Sequence, residues 1–488
     1  PILPTIFARV REEAMTRIQF GTSGWRGVIA DDFTLPRALA VVQGIADHLR
    51  AAGLEGRGIV VGYDTRFLSE RFAGEAAKLL ATNGIRVFLC ERDTPTPVVA
   101  CEIRRRQAGG GITITASHNP PEWNGIKFST AAGGPAPPEV TRYIEAQANA
   151  RLPNAQAETI EIAAAEKAGL LTMIDPLPPY LTHLQSLVDY EAIRRARLRV
   201  VVDPLFGTGR GVLDTACREA GCEVEMLHDW RDPLFGGGPP DPAPTRLQDL
   251  AQRVVKRRAH LGLATDGDAD RFGIVDNDGT VPSANQILAL LFKHLLSTRP
   301  APGGVARTVA TTHLLDAVAR HYHVPVYETP VGFKYLGELL LQEKVILAGE
   351  ESAGLSIRGH IPEKDGVLAC LLVAEMVAHR GRASLRELLD ELYAQVGTIL
   401  SRRIDFTLKP EERARLLTKL EEPPRELIGQ RVAAVERKDG TKLLLEDGSW
   451  LLIRPSGTEP VVRLYVEAQN ARDLERLIEA SRKLVYSA

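Results

Sequence analysis

Three aspartates at alternate positions of one short segment, Asp266, Asp268 and Asp270 in residues 266–271 (DGDADR), make the strongest chemical demand in this sequence. Carboxylates this close repel one another unless a cation sits between them. The spacing does not fit an EF-hand, because the sixth position is Arg271 instead of glycine and the twelfth is Asn277 instead of glutamate. Three hard oxygen ligands with open positions suit Mg2+, which commonly shares its shell with a phosphate oxygen. A solvated acidic turn is the plainer alternative.

A second group centres on Ser117 in residues 115–121 (TASHNPP), with His118 beside it and Asn119-Pro120 forcing a turn. An ordinary serine turn in a βα connection would explain the pair. A hydrolase triad would not, since no GxSxG elbow is present. Lys127 follows closely enough to visit the same place. The third group is Glu350 and Ser352 in residues 349–354 (GEESAG), which could take vicinal sugar hydroxyls or simply begin a helix. Downstream, Lys364 is flanked by acids in residues 363–366 (EKDG), as a proton-transfer group or a surface turn. The fourth group lies in residues 454–460 (RPSGTEP), with Arg463 just beyond. There Arg454 offers a bidentate fork for phosphate, and Ser456, Thr458 and the Gly457 amide add donors, although a tight turn between strands is the simpler reading. It lacks the GxxxxGK pattern of a Walker loop. Residues 207–211 (GTGRG) look dinucleotide-like, but Val212 stands where the last glycine belongs, so they read as a structural turn. Arg26, in the glycine-rich residues 21–27, could turn the chain or meet an anion. A serine on a turn, a Mg2+ site, a phosphate cradle and a sugar-like loop together point to phosphoryl transfer through a covalent phosphoserine.

These groups need strands to hold them. Apolar β-branched runs at 58–61, 85–89, 111–115, 198–202, 261–265, 305–311, 324–327 and 345–348 alternate with helical patterns. One such helix starts with Ser69 as N-cap and stops at Asn83-Gly84. The alternation predicts α/β domains with mostly parallel sheets, helices on both faces, and functional loops at the carboxyl ends of the strands. A composition shift places a boundary near 170, and the Asn277-Asp278-Gly279 turn before a fresh helix places one near 280. A helix giving way to the strand-like Arg402–Thr407 places one near 398, giving domains 1–170, 171–280, 281–398 and 399–488. The last is α+β, with hairpin signals at Asp439-Gly440 and Asp447-Gly448 and an amphipathic terminal helix bearing Leu474, Leu477, Ile478, Leu484 and Val485.

Composition excludes several classes. The 488 residues carry a net charge of −2, which gives no electrostatic footprint for nucleic acid. No apolar run approaches the ~20 residues of a membrane span, and charged residues interrupt the first twenty where a secretion signal needs an apolar core. Five scattered cysteines without a CxxC pair fit a reducing compartment. The expectation is a cytoplasmic protein, monomer or dimer, with Met15 as a candidate second translation start.

The four motifs TASHNP, DGDADR, GEESAG and RPSGTEP, in this order, resemble the α-D-phosphohexomutases, and with residues 21–27 and Arg463 the resemblance spans nearly the whole chain. It implies three related α/β domains and a C-terminal domain of another type around a central cleft. It implies Ser117 as the phosphoserine, with His118, Lys127, Arg271 and Arg26 about the transferring group. Asp266, Asp268, Asp270 and the Ser117 phosphate oxygen would hold Mg2+. Glu350 and Ser352 would meet the sugar, and Thr329, Gly332 and Lys334 of residues 329–334 (TPVGFK) match a further substrate loop. Arg454, Ser456, Gly457, Thr458 and Arg463 would hold the distal phosphate. The substrate would be a hexose monophosphate, with glucose 1,6-bisphosphate as intermediate and activator. Dual mannose/glucose members carry histidine two residues after the serine of GEMSGH; here that position is Gly354, and Lys364 resembles the basic group of phosphoglucomutases. GEESAG is similar to the glucose branch and differs from the GEQSGH of aminosugar mutases. The resemblance therefore implies a phosphoglucomutase, with a dual phosphomannomutase/phosphoglucomutase next, then a phosphoglucosamine mutase. A non-catalytic sugar-phosphate-binding protein and a simple phosphatase are the readings from other classes.

Overall fold

The structure is a computed structural model that describes residues 17–152, 159–301, 303–455 and 461–486. It forms two compact units: residues up to Pro282 together with Ala353–Ser384, and Ser283–Ser352 together with the chain from Leu385.

In the first unit, β1 (Trp25–Val28), β2 (Ile59–Tyr63), β3 (Val87–Cys90), β4 (Gly110–Ile114), β5 (Trp123–Thr130) and β6 (Leu171–Ile174) build one sheet in the order β1-β5-β4-β2-β3-β6. β2 runs parallel to β3 and β4, and β6 parallel to β3, whereas β5 is antiparallel to β4 and β1 to β5. β4 is buried at every position and β2 at all but Tyr63. That explains why both read as continuous apolar runs instead of alternating ones. Residues 171–174 belong to this sheet, so it extends past residue 170. The expected helix spans Ser69–Thr82, but Ser69 is not its cap. Leu68 takes that position with φ 62°, and the Ser69 hydroxyl donates instead to the buried Asp64 carboxylate at 2.8 Å.

A second sheet comprises β7 (Arg199–Asp203), β8 (Glu223–Met226), β9 (Leu261–Thr265) and β10 (Phe272–Asp276), in the order β10-β9-β7-β8. β7 is parallel to β8 and β9, while β10 turns back antiparallel on β9. The turn between β9 and β10 is the DGDADR segment.

The second unit opens with the helix Ala284–Thr298, whose first turn carries a capping box between Ser283 and Gln286. β11 (Gly304–Thr308) then lies parallel between β12 (Val326–Thr329) and β13 (Val345–Glu350). Returning to the first unit, β14 (Gly354–Ile357) leads to the helix Gly366–His379, which packs on β9 and β10. This helix is almost wholly buried and is capped by Asp365, which accepts from the Leu368 amide at 2.9 Å.

In the second unit, β15 (Leu400–Thr407), β16 (Glu426–Leu427), β17 (Gln430–Glu436), β18 (Thr441–Leu445), β19 (Trp450–Pro455) and β20 (Val461–Ala468) form an antiparallel sheet ordered β15-β20-β19-β18-β17-β16. The hairpin turns fall at Gly440 and Gly448, both at positive φ, as the Asp-Gly signals require. The helix Ala471–Tyr486 lays Leu474, Leu477, Ile478, Leu484 and Val485 into the core of this sheet. Each such burial contributes on the order of 1.5–3 kcal/mol, and Leu477→Ala alone would cost about 2–5 kcal/mol.

Candidate active site

Ser117 follows β4 in a loop that bends sharply: its φ is +53°, a left-handed conformation that costs a non-glycine residue on the order of 1–3 kcal/mol. The loop is held by Arg66 at the end of the neighbouring β2, a residue that is fully buried. Its guanidinium donates to the carbonyls of Ser117 and Asn119 through Nη2, both at 2.6 Å, and to those of Pro120 and Trp123 through Nη1 at 2.6 and 2.9 Å. Nε donates to Asp64 at 3.0 Å. Arg26 on β1 adds a hydrogen bond to the Asn119 side chain at 2.5 Å. The Ser117 amide donates to Thr115 Oγ1 at 2.8 Å, and the Ser117 hydroxyl donates to Asp266 Oδ2 at 2.9 Å. The serine loop and the aspartate loop therefore meet at the nucleophile candidate.

Asp266, Asp268 and Asp270 bring one carboxylate oxygen each within 4.8 Å of one another, all three residues buried. Lys127 on β5 bridges Asp268 and Asp270 at 2.5 and 2.8 Å. Burial, then the charges of Asp268 and Asp270, push the Asp266 carboxyl well above its ordinary range. Burial would also raise Asp270, but Lys127, Lys364 and Arg271 outweigh it and hold that group ionised. Asp268 Oδ1 and Asp270 Oδ1 are buried without a hydrogen-bond partner among the described residues. Three converging carboxylates, two of them with an unpartnered buried oxygen and one destabilised as an anion, fit a divalent cation. The GTGRG turn supports this loop from beneath, Thr208 donating through its amide to Gly267 O at 3.0 Å.

Lys364 reaches the same loop from the segment before the helix Gly366–His379. Its Nζ lies 3.2 Å from Asp270 and 2.8 Å from Glu363, and the side chain is nearly buried. Its aliphatic stem crosses Gly354, where a Cβ would stand only 2.2 Å from Lys364 Cδ. The lysine thus fills the space that any side chain at position 354 would need. His118 is half-buried, its Nδ1 3.8 Å from Asp241. Burial, with Arg271 and Arg26 nearby, holds its imidazole well below the usual range, so it is neutral at pH 7.

The remaining predicted residues lie in the second unit. Thr329 ends β12 and is nearly buried. Gly332 adopts φ +131°, open only to glycine, and its amide donates to Glu350 Oε1 at 3.0 Å. The TPVGFK and GEESAG segments are thereby joined. Ser352 is half-buried, and Lys334 lies over the Tyr335 ring. Arg454 on β19 stands opposite Arg463 on β20 in register. Like charges so placed repel; Asp439 at 2.9 Å from Arg454 and Asp405 at 4.0 Å from Arg463 offset this. Two guanidiniums side by side can grip a dianion. Ser456, Gly457 and Thr458 lie outside the described residues.

Sequence reasoning missed Arg66. Its signal was the Asp64-Thr-Arg66 triplet at the carboxyl end of a strand, where functional loops concentrate.

An α/β chain that sets a serine hydroxyl against clustered metal-type carboxylates, with paired arginines on a separate terminal sheet, has the layout of a phosphoryl-transfer enzyme. The comparisons make this specific. Residues 17–154, 178–279, 283–396 and 412–484 match, in turn, phosphoglucomutase/phosphomannomutase α/β/α domains I, II and III and the C-terminal domain. A Thermococcus kodakarensis protein named phosphoglucomutase/phosphomannomutase is 31% identical, the alignment covering 96% of this chain and 98% of that one. A Methanopyrus kandleri protein described as a phosphoglucosamine mutase has the same identity and the same coverage. The crystal structure of a Thermus thermophilus protein described as a phosphomannomutase superposes with a TM-score of 0.84 at 33% identity, covering 96% of this chain and 99% of the other. The chain belongs to the phosphoglucomutase/phosphomannomutase family, whose members are phosphohexomutases, isomerases that act as intramolecular phosphotransferases. Among the described residues, no helix is long and apolar enough to cross a membrane.

Proposed function

We propose that this chain is a phosphoglucomutase, interconverting glucose 1-phosphate and glucose 6-phosphate through phosphorylated Ser117. The observation that carries the reading is the Ser117 hydroxyl 2.9 Å from one of three clustered aspartates, with Lys127 on the other two. Phospho-Ser117 passes its phosphoryl group to the free hydroxyl of the sugar monophosphate. The Ser Oγ–P bond breaks, the sugar O–P bond forms, and the hydroxyl proton goes to a base. The resulting glucose 1,6-bisphosphate returns its other phosphate to Ser117. Lys364 is the proton-transfer candidate: its neutral amine takes that hydroxyl proton, and the ammonium so formed is held between Glu363 and Asp270. Mg2+ held by Asp266, Asp268 and Asp270 would supply positive charge at the phosphoserine oxygen when bound. Lys127, Arg26, Arg271 and the neutral His118 would orient the transferring group and take up its developing charge. Glu350, Ser352, Thr329, Gly332 and Lys334 are assigned to the sugar, and Arg454, Ser456, Gly457, Thr458 and Arg463 to the phosphate that stays.

Glucose leads because Lys364 fills the space over Gly354, where dual-specificity members carry histidine. A dual mannose/glucose mutase is the second reading, favoured by the name of the Thermococcus relative. The same reading assigns four domains with boundaries near 170, 280 and 398, and a cytoplasmic setting. Turnover of glucose 1-phosphate, mannose 1-phosphate and glucosamine 1-phosphate, primed with glucose 1,6-bisphosphate and Mg2+, tests it. A strong glucose preference is expected. Equal mannose turnover moves the chain to the dual reading, and glucosamine preference overturns the glucose assignment.

A further inference from the structure

Behind Lys364 lies a chain of buried polar groups that takes no part in the chemistry described above. Asp365 accepts from the Tyr180 hydroxyl at 2.8 and 3.0 Å and from His360 Nε2 at 2.8 Å, besides capping the following helix. His360 Nδ1 in turn meets His183 Nε2 at 3.0 Å. The side chains of His360 and Asp365 are fully enclosed, and Tyr180 is 1% exposed. An ionised carboxylate has only lone pairs to offer, so the Tyr180 hydroxyl and His360 Nε2–H must both donate to it. His360 Nδ1 and His183 Nε2 then share one proton, on whichever ring the tautomer places it. Burial, followed by the nearby His360, lowers His183 to about 4, so its ring is neutral at pH 7.

The geometry of the surrounding backbone shows what this chain of bonds holds. Arg104 donates to His360 O at 2.6 Å, Ser356 to Ile361 O at 2.6 Å, and the amides of Asp365 and Gly366 to Leu355 O and Ala269 O at 2.9 and 3.0 Å. The last bond ties the segment directly to the aspartate loop. Lys364 sits between His360 and Asp365, on the stretch these contacts pin from both sides. Burying such a polar group is costly unless every partner is in place, which gives a single arrangement a steep advantage over its alternatives.

We infer that Tyr180, His360 and Asp365 are positioning residues that fix Lys364 against Asp270. This inference rests on the assignment of Lys364 as the proton-transfer group. The two are separable by experiment. Tyr180→Phe, His360→Ala, His360→Gln and Lys364→Ala are assayed with glucose 1-phosphate at saturating Mg2+ and glucose 1,6-bisphosphate, with thermal midpoints recorded. Tyr180→Phe is expected to lower kcat about tenfold with KM unchanged within about twofold, since misplacement by ~1 Å costs up to ~100-fold. His360→Gln, whose amide can still donate to Asp365, is expected to recover most of what His360→Ala loses. Should His360→Ala fail to fold, Tyr180→Phe, which removes one oxygen atom, still decides. Folded Tyr180→Phe with wild-type kcat, alongside an impaired Lys364→Ala, would overturn the positioning role alone. Wild-type kcat in Lys364→Ala would overturn the proton-transfer assignment, and this inference with it.

Discussion

Replacing Gly354 by alanine tests the packing of Lys364 with a single added carbon. Gly354 is outside the left-handed region, so alanine meets no backbone penalty there. Its Cβ would stand 2.2 Å from Lys364 Cδ and 2.7 Å from Cγ. Ordinary contact begins near 3.4 Å, so the lysine stem must move by about 1.2 Å, and its ammonium must leave the positions 3.2 Å from Asp270 and 2.8 Å from Glu363. Overpacking costs about 1–3 kcal/mol, and the stiffer unfolded chain returns about 0.4–1 kcal/mol. The net loss of stability is thus modest, while displacing the proposed proton-transfer group by this much should cost about 10–100-fold in rate. Steady-state kinetics with glucose 1-phosphate should show kcat down by that factor and KM within about threefold. In a Lys364→Ala background the same glycine change should cost less than about twofold, because the group it acts through is gone. Wild-type kcat in Gly354→Ala, or an equal loss in both backgrounds, would refute the reasoning.

Arg66→Ala should cost about 3–5 kcal/mol in urea unfolding, because Asp64 loses its buried ion-pair partner and four loop carbonyls lose a donor; a loss under about 1 kcal/mol would contradict the clamp. Mg2+ at about 100 times its dissociation constant should raise unfolding stability by ~2.7 kcal/mol, and Asp270→Asn should abolish most of that gain, as read by the thermal midpoint. Stability should also fall on acidification. Burial, then Arg307 and Lys442, lower His313 to about 2 in the folded chain, so between pH 6.5 and about 2 the unfolded chain binds the extra proton and stability drops by up to ~1.4 kcal/mol per pH unit. Urea titrations at pH 7 and pH 5 should show a smaller difference in His313→Gln than in the wild type.

The candidate site groups were legible because each lies on one short loop, where residue type and spacing alone carry the proposed chemistry. Asp266, Asp268 and Asp270 are alternate residues, and β9 and β10 that hold them are fully buried strands with a plain apolar signature. Arg66 was overlooked despite the Asp64-Thr-Arg66 triplet: apart from Asp64, its partners are backbone carbonyls of residues 117–123, which are the same for every sequence. Ser69 misled for a related reason. A serine at a helix start ordinarily caps it, but here the buried Asp64 carboxylate competes for the hydroxyl and wins. The link between Gly354 and Lys364 joins residues ten apart through a tight turn, so only the folded chain reveals why the glycine lacks a side chain. Likewise β6 follows a polar, alanine-rich stretch that resembles a linker, and its two exposed positions, Thr172 and Met173, hide an edge strand.

The central claim is that Ser117 carries the phosphoryl group. Intact mass of the protein incubated with glucose 1,6-bisphosphate and Mg2+, followed by peptide mapping, tests it most directly. One added phosphate on the peptide containing Ser117, lost on adding glucose 6-phosphate and absent from Ser117→Ala, is the predicted result. A phosphate on another residue, or full turnover by Ser117→Ala, would contradict it.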